Sequence, residues 1–238
     1  MDQKGTRPLT QRLLRRLVFA LSPRRRIRSA FTDHYRLQGW GGGETASGPG
    51  STLARTASLR EQLPALFPEL GVRTVLDAGC GDFNWFRAME APLDLYIGTD
   101  VVEDLVADNQ RRYGDERRTF LALDVTRDAL PEVDLILCRD CLVHLKHRQI
   151  LAALENFAAS GSRYLLATTF PSRSANVDAP LGGWRPVNLQ LPPFGLPQPE
   201  RLLVESGVED ERYADKALGL WPLARLGTAG SVRSRPRT

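Results

Sequence analysis

The chain has 238 residues, of which 42% are hydrophobic, enough to bury one sizeable core and too few for two ordinary domains with linkers. Its three cysteines, Cys80, Cys138 and Cys141, are odd in number, so the sequence indicates no disulfide framework and we expect a reducing, cytoplasmic compartment. No second cysteine pair accompanies Cys138 and Cys141, which disfavours a zinc site and leads us to expect no metal.

Charge divides the chain into three parts. Residues 1–30 carry nine Lys or Arg and one acid, and residues 225–238 carry four Arg and no acid, so the overall charge of +4 leaves −8 for residues 31–224. The sequence therefore predicts a basic N-terminal arm (1–30), one globular domain (31–224) and a basic C-terminal tail (225–238). Because enzymes acting on nucleic acids more often carry their basic surface on the folded body, we expect no nucleic-acid substrate.

Within the arm, apolar residues at helical spacing between Leu9 and Leu21 predict a short basic amphipathic helix that ends at Pro23. The apolar run is too short for a membrane span or a secretory signal. We expect a helix packed on its own domain or a flexible arm. Peripheral contact with an anionic membrane surface is the alternative interpretation.

A glycine-rich segment, residues 39–52, precedes the first predicted helix. It can be a linker, but it contains Trp40 and Glu44, which are uncommon in linkers, so an ordered loop folded over a ligand pocket is an equally compatible interpretation. The helix is predicted over residues 52–63, with a Ser or Thr cap at its start and an end at the prolines that follow it.

The centre of the predicted fold is a strand, a glycine loop and a helix. An apolar run ends at Asp77, Gly79 and Gly81 bracket a tight turn, and a helix is predicted over residues 84–90. Glycine permits a positive φ and lets a ligand approach the backbone closely. This is the start of a βαβ unit with a ligand-binding turn.

The second strand, residues 93–99, ends at Asp100, which is placed to accept hydrogen bonds from vicinal ribose hydroxyls. A dinucleotide-binding loop has a third glycine, which here is Asn84, and a buried Asp77 would repel a pyrophosphate but could orient a cationic ligand. S-adenosylmethionine is cationic. The pattern D-x-G-x-G, followed by an acidic residue after the next strand, resembles the class I S-adenosylmethionine-dependent methyltransferases.

The resemblance covers about residues 52–222. It implies an α/β fold with a Rossmann-like seven-stranded sheet, mostly parallel with an antiparallel last strand, and helices on both faces. It also implies an adenine clamp at Asp124 and Val125 and a contact of the loop residue Glu44 with the methionine end of the cofactor. The cofactor contacts predicted in this way are Glu44, Asp77, Gly79, Gly81, Asn84, Asp100, Asp124 and Val125.

The remaining elements follow from apolar runs and helical spacing. They are predicted as a helix over 101–113, strands over 119–123 and 133–138, a helix from about 141 to 159, a strand over 164–170, and an antiparallel pair of strands over 201–205 and 213–221.

Two residues after the fourth strand are candidates for catalysis. The leaving group of a sulfonium is already cationic, so alignment and desolvation of the acceptor matter more than acid or base chemistry. A carboxylate acceptor needs no base, whereas an alcohol must lose its proton to a residue such as His or Asp. Asp140 and His144 are the acid and base candidates beside the expected methyl position. A purely structural role for His144 is equally compatible with the sequence.

A proline-rich connection, residues 171–200, is predicted to form a lid, because a connection of this length in a compact domain is usually disordered or functional. Its apolar side chains need a packing partner, which disfavours disorder. Trp184, Arg185 and Asn188 are the predicted acceptor contacts in this lid.

The absence of two known methyltransferase motifs argues against amide, amine and cytosine substrates. The D/N-P-P-Y loop of amide and amine methylation is replaced by C-R-D-C, and no Pro-Cys pair for cytosine methylation occurs. We therefore expect methylation of a small molecule, a sugar or a peptide, with O-methylation favoured over N-methylation. The alternatives are an inactive methyltransferase-like binding protein and a nicotinamide-dependent oxidoreductase, the latter disfavoured by Asp77 and Asn84.

Within the class, the chain is similar to bacterial methyltransferases that share the motifs W-G-x-x-E, S-G-P-G-S, C-R-D-C-L-V-H-L and G-G-W-R-P-x-N-L-Q. This similarity assigns no acceptor.

Overall fold

Seven strands form a single sheet in the computed structural model, which describes residues 23–40, 43–205 and 214–226. The strands are β1 (Thr74–Ala78), β2 (Leu95–Asp100), β3 (Arg118–Ala122), β4 (Leu135–Cys138), β5 (Tyr164–Thr169), β6 (Arg201–Val204) and β7 (Ala217–Pro222). Their order across the sheet is β3-β2-β1-β4-β5-β7-β6. Strands β1 to β5 pair in parallel, and β7 runs antiparallel to both β5 and β6. The predicted fold class is confirmed.

The central strands are buried on both faces, which explains their nearly continuous apolar sequence. In β4 all four residues are buried; Leu135 and Leu137 join one apolar cluster, whereas Ile136 and Cys138 join the other. This alternation places one core on each side of the sheet. Because β1 to β4 run parallel to one another, their carboxyl ends meet at one edge of the sheet, between the two cores.

Within the described residues, four α-helices flank the sheet: α1 (Pro23–Arg36), α2 (Ala57–Glu69), α3 (Glu103–Tyr113) and α4 (His147–Ala159). The prediction for α2 was wrong at both ends. The helix begins at residue 57 instead of 52, and it runs through Pro64 and Pro68. Leu63 and Phe67 are completely buried, so packing on the sheet outweighs the backbone hydrogen bonds that the two prolines cannot make.

The helix predicted over residues 84–90 is also corrected. Only a short 3₁₀ turn, Phe86–Ala88, forms after the glycine loop. Phe83 has a φ of 60°, which no α-helix contains, and its ring packs 4.8 Å from that of Tyr96 on β2. Buried aromatic side chains, including Trp85, cover this part of the sheet in place of a helix.

The helix predicted from about residue 141 begins later. Residues Leu142–His144 form a 3₁₀ turn, and α4 begins at His147. The Gln149 side chain accepts a hydrogen bond from the Lys146 N–H at 2.9 Å, which caps the helix at this later position. His144 therefore lies in a turn at the sheet edge and not in the helix.

At the amino end, Pro23 is the first residue of α1, a position that suits proline because its missing N–H would be unpaired there. The amphipathic helix predicted between Leu9 and Leu21 lies outside the described residues, as do residues 227–238 of the predicted tail. The predicted boundary at residue 30 falls inside α1, and Ile27 is only 2% exposed. Residues 27–30 are therefore part of a helix that packs on the domain.

No helix in residues 23–40, 43–205 and 214–226 combines the length and the apolar character that crossing a bilayer requires. A cytoplasmic location and peripheral membrane contact of the arm stay predictions.

Candidate active site

A cavity lies at the carboxyl ends of four neighbouring strands. Each strand end contributes side chains or backbone to its wall: Gly79 and Gly81 follow β1, Asp100 ends β2, Asp124 and Val125 follow β3, and Asp140 and His144 follow β4. Seven of the sequence-predicted site residues are thereby brought together. In an open α/β sheet this edge is where ligands bind.

The glycine loop is shaped by its surroundings as well as by its turn. Gly79 and Gly81 have φ values of 85° and 55°. A Cβ atom on Gly79 would lie 2.9 Å from Cβ of Cys141, and one on Gly81 would lie 2.1 Å from Oγ of Ser47. Both positions therefore require glycine for conformation and for close approach of the cavity wall.

Asp100 presents a half-buried carboxyl group at the end of β2. Its Oδ1 accepts a hydrogen bond from the Val102 N–H at 3.0 Å. Burial raises the pKa of this carboxyl group, although hydrogen bonds from backbone N–H groups, including that of Gly81, partly oppose the effect. Asp100 lines the cavity, where its predicted role is to hold ribose hydroxyls.

Asp124 uses one carboxyl oxygen locally. Oδ1 accepts hydrogen bonds from the Thr126 N–H at 3.0 Å and from its hydroxyl group at 2.6 Å. Oδ2 lies 3.2 Å from Nε of Arg127, but it accepts no hydrogen bond from any described residue. This oxygen and the neighbouring Val125 suit the predicted clamp on an amino-substituted ring.

Three predicted cofactor contacts lie behind the cavity wall instead of in it. Asp77 is 3% exposed and accepts a hydrogen bond from the Tyr96 hydroxyl group at 2.8 Å. Burial raises the pKa of Asp77 to about 7, with the Tyr96 hydrogen bond acting against it. Asn84 donates from Nδ2 to Oε1 of Glu44 at 2.7 Å and to the Ser51 carbonyl oxygen at 3.2 Å. Asn84 and Glu44 thus hold the glycine-rich loop against the sheet.

Asp140 and His144 differ strongly in their electrostatics. Burial alone would raise the pKa of Asp140, but the Lys216 and Arg139 cations outweigh it and lower this pKa to about 2. Burial lowers the pKa of His144, and the Asp140 charge offsets this only in part. Nδ1 of His144 is buried and makes no hydrogen bond to a described residue. At neutral pH Asp140 is ionised and His144 is neutral.

The three predicted lid residues do not line this cavity. Arg185 is 9% exposed and donates to the carbonyl oxygens of Val143 at 2.7 Å and Leu142 at 3.4 Å. Asn188 donates to the carbonyl oxygens of Pro171 and Arg173, each at 3.1 Å. Trp184 is 43% exposed, and its ring lies 5.9 Å from that of Phe170 in an edge contact.

Comparison with known proteins gives one match to a family model. Residues 75–160 match a family model described as "Methyltransferase domain". This segment is therefore similar to methyltransferase domains. A search of curated proteins finds no match to the chain.

One solved structure shows a similar fold. The methyltransferase domain of the bacterial protein CtHen1-C is 12% identical, with a TM-score of 0.51, and the match covers 71% of this chain and 98% of that one. Two others have TM-scores below 0.5. The 1,6-didemethyltoxoflavin-N1-methyltransferase of Burkholderia thailandensis is 21% identical over 79% of this chain and 76% of that one, with a TM-score of 0.48. The magnesium protoporphyrin IX methyltransferase of Synechocystis PCC 6803 is 22% identical over 66% and 81%, with a TM-score of 0.44.

The site also uses residues that sequence reasoning missed. Asp82 accepts hydrogen bonds from the Thr45 and Ser47 hydroxyl groups at 2.9 Å and from the Ala46 N–H at 2.7 Å. It therefore fixes the glycine-rich loop on the cavity. Its position directly after Gly81 was the only available signal, and an acidic residue beside a turn is too common to indicate a partner 35 residues away.

Aromatic residues from the amino end complete the cavity wall. Phe31 and Tyr35 of α1 line it together with Trp40. The Trp40 ring lies 5.9 Å from that of Phe31 and 5.8 Å from that of His144. An ion pair of Arg36 with Asp104 at 2.8 Å connects α1 with α3. Helix α1, which carries Phe31 and Tyr35, overlaps the predicted basic arm. Because this region is rich in arginine, its apolar residues were not recognised as part of a cavity wall.

A buried charge network joins Asp140 to the last two strands. Arg139 donates to both carboxyl oxygens of Glu205, at 3.1 and 2.7 Å, and to the Gly50 carbonyl oxygen at 2.7 Å. Lys216 contacts Oδ2 of Asp140 at 2.6 Å and Oε2 of Glu205 at 3.2 Å. Arg139 was not selected from the sequence because a charged residue in an apolar stretch does not reveal which distant charge will pair with it.

Proposed function

We propose that the protein transfers the methyl group of S-adenosylmethionine to a hydroxyl group of a small molecule, saccharide or peptide. The observation that carries this proposal is the alignment of Asp100, Asp124 and the glycine loop around one cavity at adjacent strand ends. A nucleoside whose ribose contacts Asp100 would direct its base toward Asp124, because β3 lies beside β2 in the sheet. Oδ2 of Asp124 accepts no hydrogen bond from a described residue and suits an exocyclic amino group.

The residues of the site fit a cationic nucleoside cofactor better than a dinucleotide. Asn84 occupies the position of a third glycine, and its side chain is engaged with Glu44. A pyrophosphate beside Asp100 and Asp140 would meet two carboxyl groups, which is unfavourable in a low-dielectric site. S-adenosylmethionine supplies an electrophilic methyl group on a sulfonium sulfur.

His144 is the proposed general base for a hydroxyl acceptor. Its lowered pKa keeps the imidazole neutral at neutral pH, and its buried Nδ1 is free of described partners. Asp140, with a pKa of about 2, is too weak a base for this task. The aromatic wall formed by Phe31, Tyr35 and Trp40 would exclude water from the acceptor.

Cofactor binding gives the first test. The melting temperature of the protein should rise with S-adenosylmethionine and remain unchanged with NAD, because binding to the native state stabilises it. Asp100→Ala should weaken S-adenosylmethionine binding by about 10- to 100-fold, as expected for a lost charged hydrogen-bond acceptor. Asp94→Ala, at an exposed ion pair with Arg73, is the control. An Asp100 variant with affinity within about twofold of wild type would contradict the ribose assignment.

Methyl transfer gives the second test. Labelled methyl groups should pass from S-adenosylmethionine into a fractionated metabolite extract, and His144→Gln should abolish this while cofactor affinity is kept. With the acceptor in hand, kcat/KM should stay high from neutral pH downward and fall only below the ordinary histidine pKa of 6.5, because His144 acts when it is neutral. Cofactor binding without any transfer would favour the binding-protein alternative, and a thermal shift with NAD would favour the oxidoreductase.

A further inference from the structure

The 3₁₀ turn Leu142–His144, between β4 and α4, depends on the proline-rich connection for two of its hydrogen bonds. The Gly182 N–H donates to the His144 carbonyl oxygen at 2.9 Å, and the Arg185 N–H donates to that of Val143 at 3.3 Å. A turn of three residues leaves carbonyl groups at its end without partners of its own. The connection supplies these partners and thereby holds His144 outside α4.

The Arg185 side chain donates to the same turn from a buried position. Its Nη1 lies 2.7 Å from the Val143 carbonyl oxygen and 3.4 Å from that of Leu142. Its Nη2 lies 3.8 Å from Oδ1 of Asp178, beyond hydrogen-bond distance, and the Asp178 side chain is 52% exposed. A neutral amide would serve the carbonyl groups as well, without the free energy that burying a charge costs. The position of this cation therefore points to an effect of its charge on a neighbour.

That neighbour is the His144 imidazole, which lines the cavity and is surrounded by charged groups of several elements. Burial has the largest effect and lowers the pKa of His144. The Asp140 carboxylate, which is itself paired with Lys216 of β7, raises this pKa. His34 of α1 and Arg185 of the connection lower it. The charge of Arg185 thus acts in the same direction as burial and against that of Asp140.

Resting on the function proposed above, we propose that Arg185 is a positioning residue for His144, which holds its turn at the cavity and keeps its imidazole uncharged. A general base must reach the acceptor and must be free of a proton before the reaction. The hydrogen bonds to the turn serve the first requirement. The buried positive charge serves the second, because it repels a proton on the imidazole. The proline-rich connection then contributes to catalysis through His144, without contacting the acceptor.

Nuclear magnetic resonance of the histidine rings tests this proposal without an acceptor. The chain contains three histidines, so the variants His34→Gln and His147→Gln assign the ring signals of His144. Arg185→Gln keeps a donor for the carbonyl groups and removes the charge, whereas Arg185→Lys keeps the charge. We expect the protonation midpoint of His144 to rise by about half a pH unit or more in Arg185→Gln and to stay within about 0.2 unit of wild type in Arg185→Lys.

Arg163→Gln is the matched control, because Arg163 also donates to two backbone carbonyl groups, but at the amino edge of the sheet before β1. It should leave the His144 midpoint unchanged. Asp178→Asn, at a more exposed position, serves if Arg185→Gln folds poorly. It leaves the Arg185 charge less compensated, so the midpoint should fall. A midpoint that does not rise in Arg185→Gln or does not fall in Asp178→Asn would overturn the proposal, and so would an equal rise in Arg163→Gln.

Kinetics with an identified acceptor separate positioning from a purely structural role. In Arg185→Gln, kcat should fall by about threefold below the His144 midpoint, which corresponds to half a pH unit, and match wild type at about pH 8. KM for the acceptor and the affinity for S-adenosylhomocysteine should not change, and Arg185→Lys should show no loss. A loss of kcat that is equal at all pH values, or that Arg185→Lys shares, would overturn the proposal. A wild-type protein that transfers no methyl group, while its His144 midpoint still depends on Arg185, would instead contradict the proposed function.

Discussion

The glycine-rich loop and the proline-rich connection are both predicted from sequence to cover a ligand, and the protein uses them differently. Residues 23–40 and 43–52, here called the amino-terminal cover, contribute side chains to the cavity wall from α1 and from Trp40, Ala46 and Ser47. The loop part is attached to the glycine loop through Asp82 and Asn84. Its polar side chains therefore fix the cover, and its apolar side chains face the cavity.

The proline-rich connection, residues 171–200, has its polar side chains turned to its own backbone and to the turn before α4. Arg185 binds carbonyl oxygens of the 3₁₀ turn that ends at His144, and the Gly182 N–H donates to the His144 carbonyl oxygen at 2.9 Å. Asn176 and Asn188 hold the connection together through backbone groups. This segment supports His144 from behind and does not line the cavity described here.

The contrast between the glycine-rich loop and the proline-rich connection shows that residue type alone does not indicate whether a polar side chain binds a ligand or a backbone group. Prolines leave carbonyl groups without the neighbouring N–H donors of regular structure. A proline-rich segment that folds on a sheet must satisfy these buried carbonyl groups, and Asn188 does so for Pro171 and Arg173. Arg185 satisfies carbonyl groups of the neighbouring 3₁₀ turn. A glycine-rich segment has its own N–H groups for this purpose, so its side chains are freer to face a cavity.

Removing the amino-terminal cover should have the largest effect. Deletion of residues 1–36 removes Ile27, Phe31 and Tyr35 from the cavity wall, and burial of side chains of this size is worth several kcal/mol. We expect S-adenosylmethionine affinity to fall by at least about 100-fold. Deletion of residues 1–22, which leaves α1 intact, is the matched control and should retain affinity. Equal affinities of the two truncations, measured by calorimetry, would contradict the conclusion that α1 forms part of the cofactor cavity.

The second largest effect is expected when the glycine-rich loop loses its attachment to Asp82. Asp82→Ala removes the acceptor of three hydrogen bonds from Thr45, Ala46 and Ser47, and we expect a loss of about 3 kcal/mol in the free energy of unfolding. Cofactor affinity should fall about tenfold, since the loop must then be ordered on binding. Asp94→Ala should change stability by less than about 1 kcal/mol, as for an exposed pair. An Asp82 variant with normal affinity would show that the loop needs no such attachment.

Sequence reasoning predicted the parts of this protein whose signals are local. The strands were recognisable because runs such as Leu135 to Cys138 are apolar throughout, and Gly79, Gly81, Asp100 and Asp124 occur at fixed positions after strands. These residues line the cavity because parallel strands place their carboxyl ends at one edge, whatever the rest of the chain does.

The features that sequence reasoning did not predict depend on pairs of residues that are far apart in the chain. The pairing of Arg139 with Glu205 spans 66 residues, and that of Asp140 with Lys216 spans 76. The antiparallel pairing of β7 with both β5 and β6 brings these charges together, and no local pattern encodes it. The boundaries of α2 were missed for a related reason, because burial on the sheet decided them against the local preference of proline.

Disrupting the proline-rich connection should lower stability without affecting the cofactor. Asn188→Ala removes two donations from Nδ2 and one acceptance by Oδ1 from the Gln190 N–H. Because these groups are buried, we expect a loss of about 2 kcal/mol in the free energy of unfolding. S-adenosylmethionine affinity at a temperature well below the transition should equal that of wild type. A loss of affinity comparable to that of Asp82→Ala would show that both segments cover the cofactor.

The smallest effect is expected for Trp184→Ala, which tests whether the connection also contacts the acceptor. Trp184 is 43% exposed and has its ring edge against Phe170, so truncation should cost less than about 1.5 kcal/mol of stability. If the connection serves only as a support for His144, kcat and KM for the acceptor should both remain near their wild-type values, as they should in a conservative Trp184→Phe variant. A raised KM in Trp184→Ala that Trp184→Phe restores, with cofactor affinity unchanged, would instead place an acceptor beside this ring and return the connection to the role of a lid.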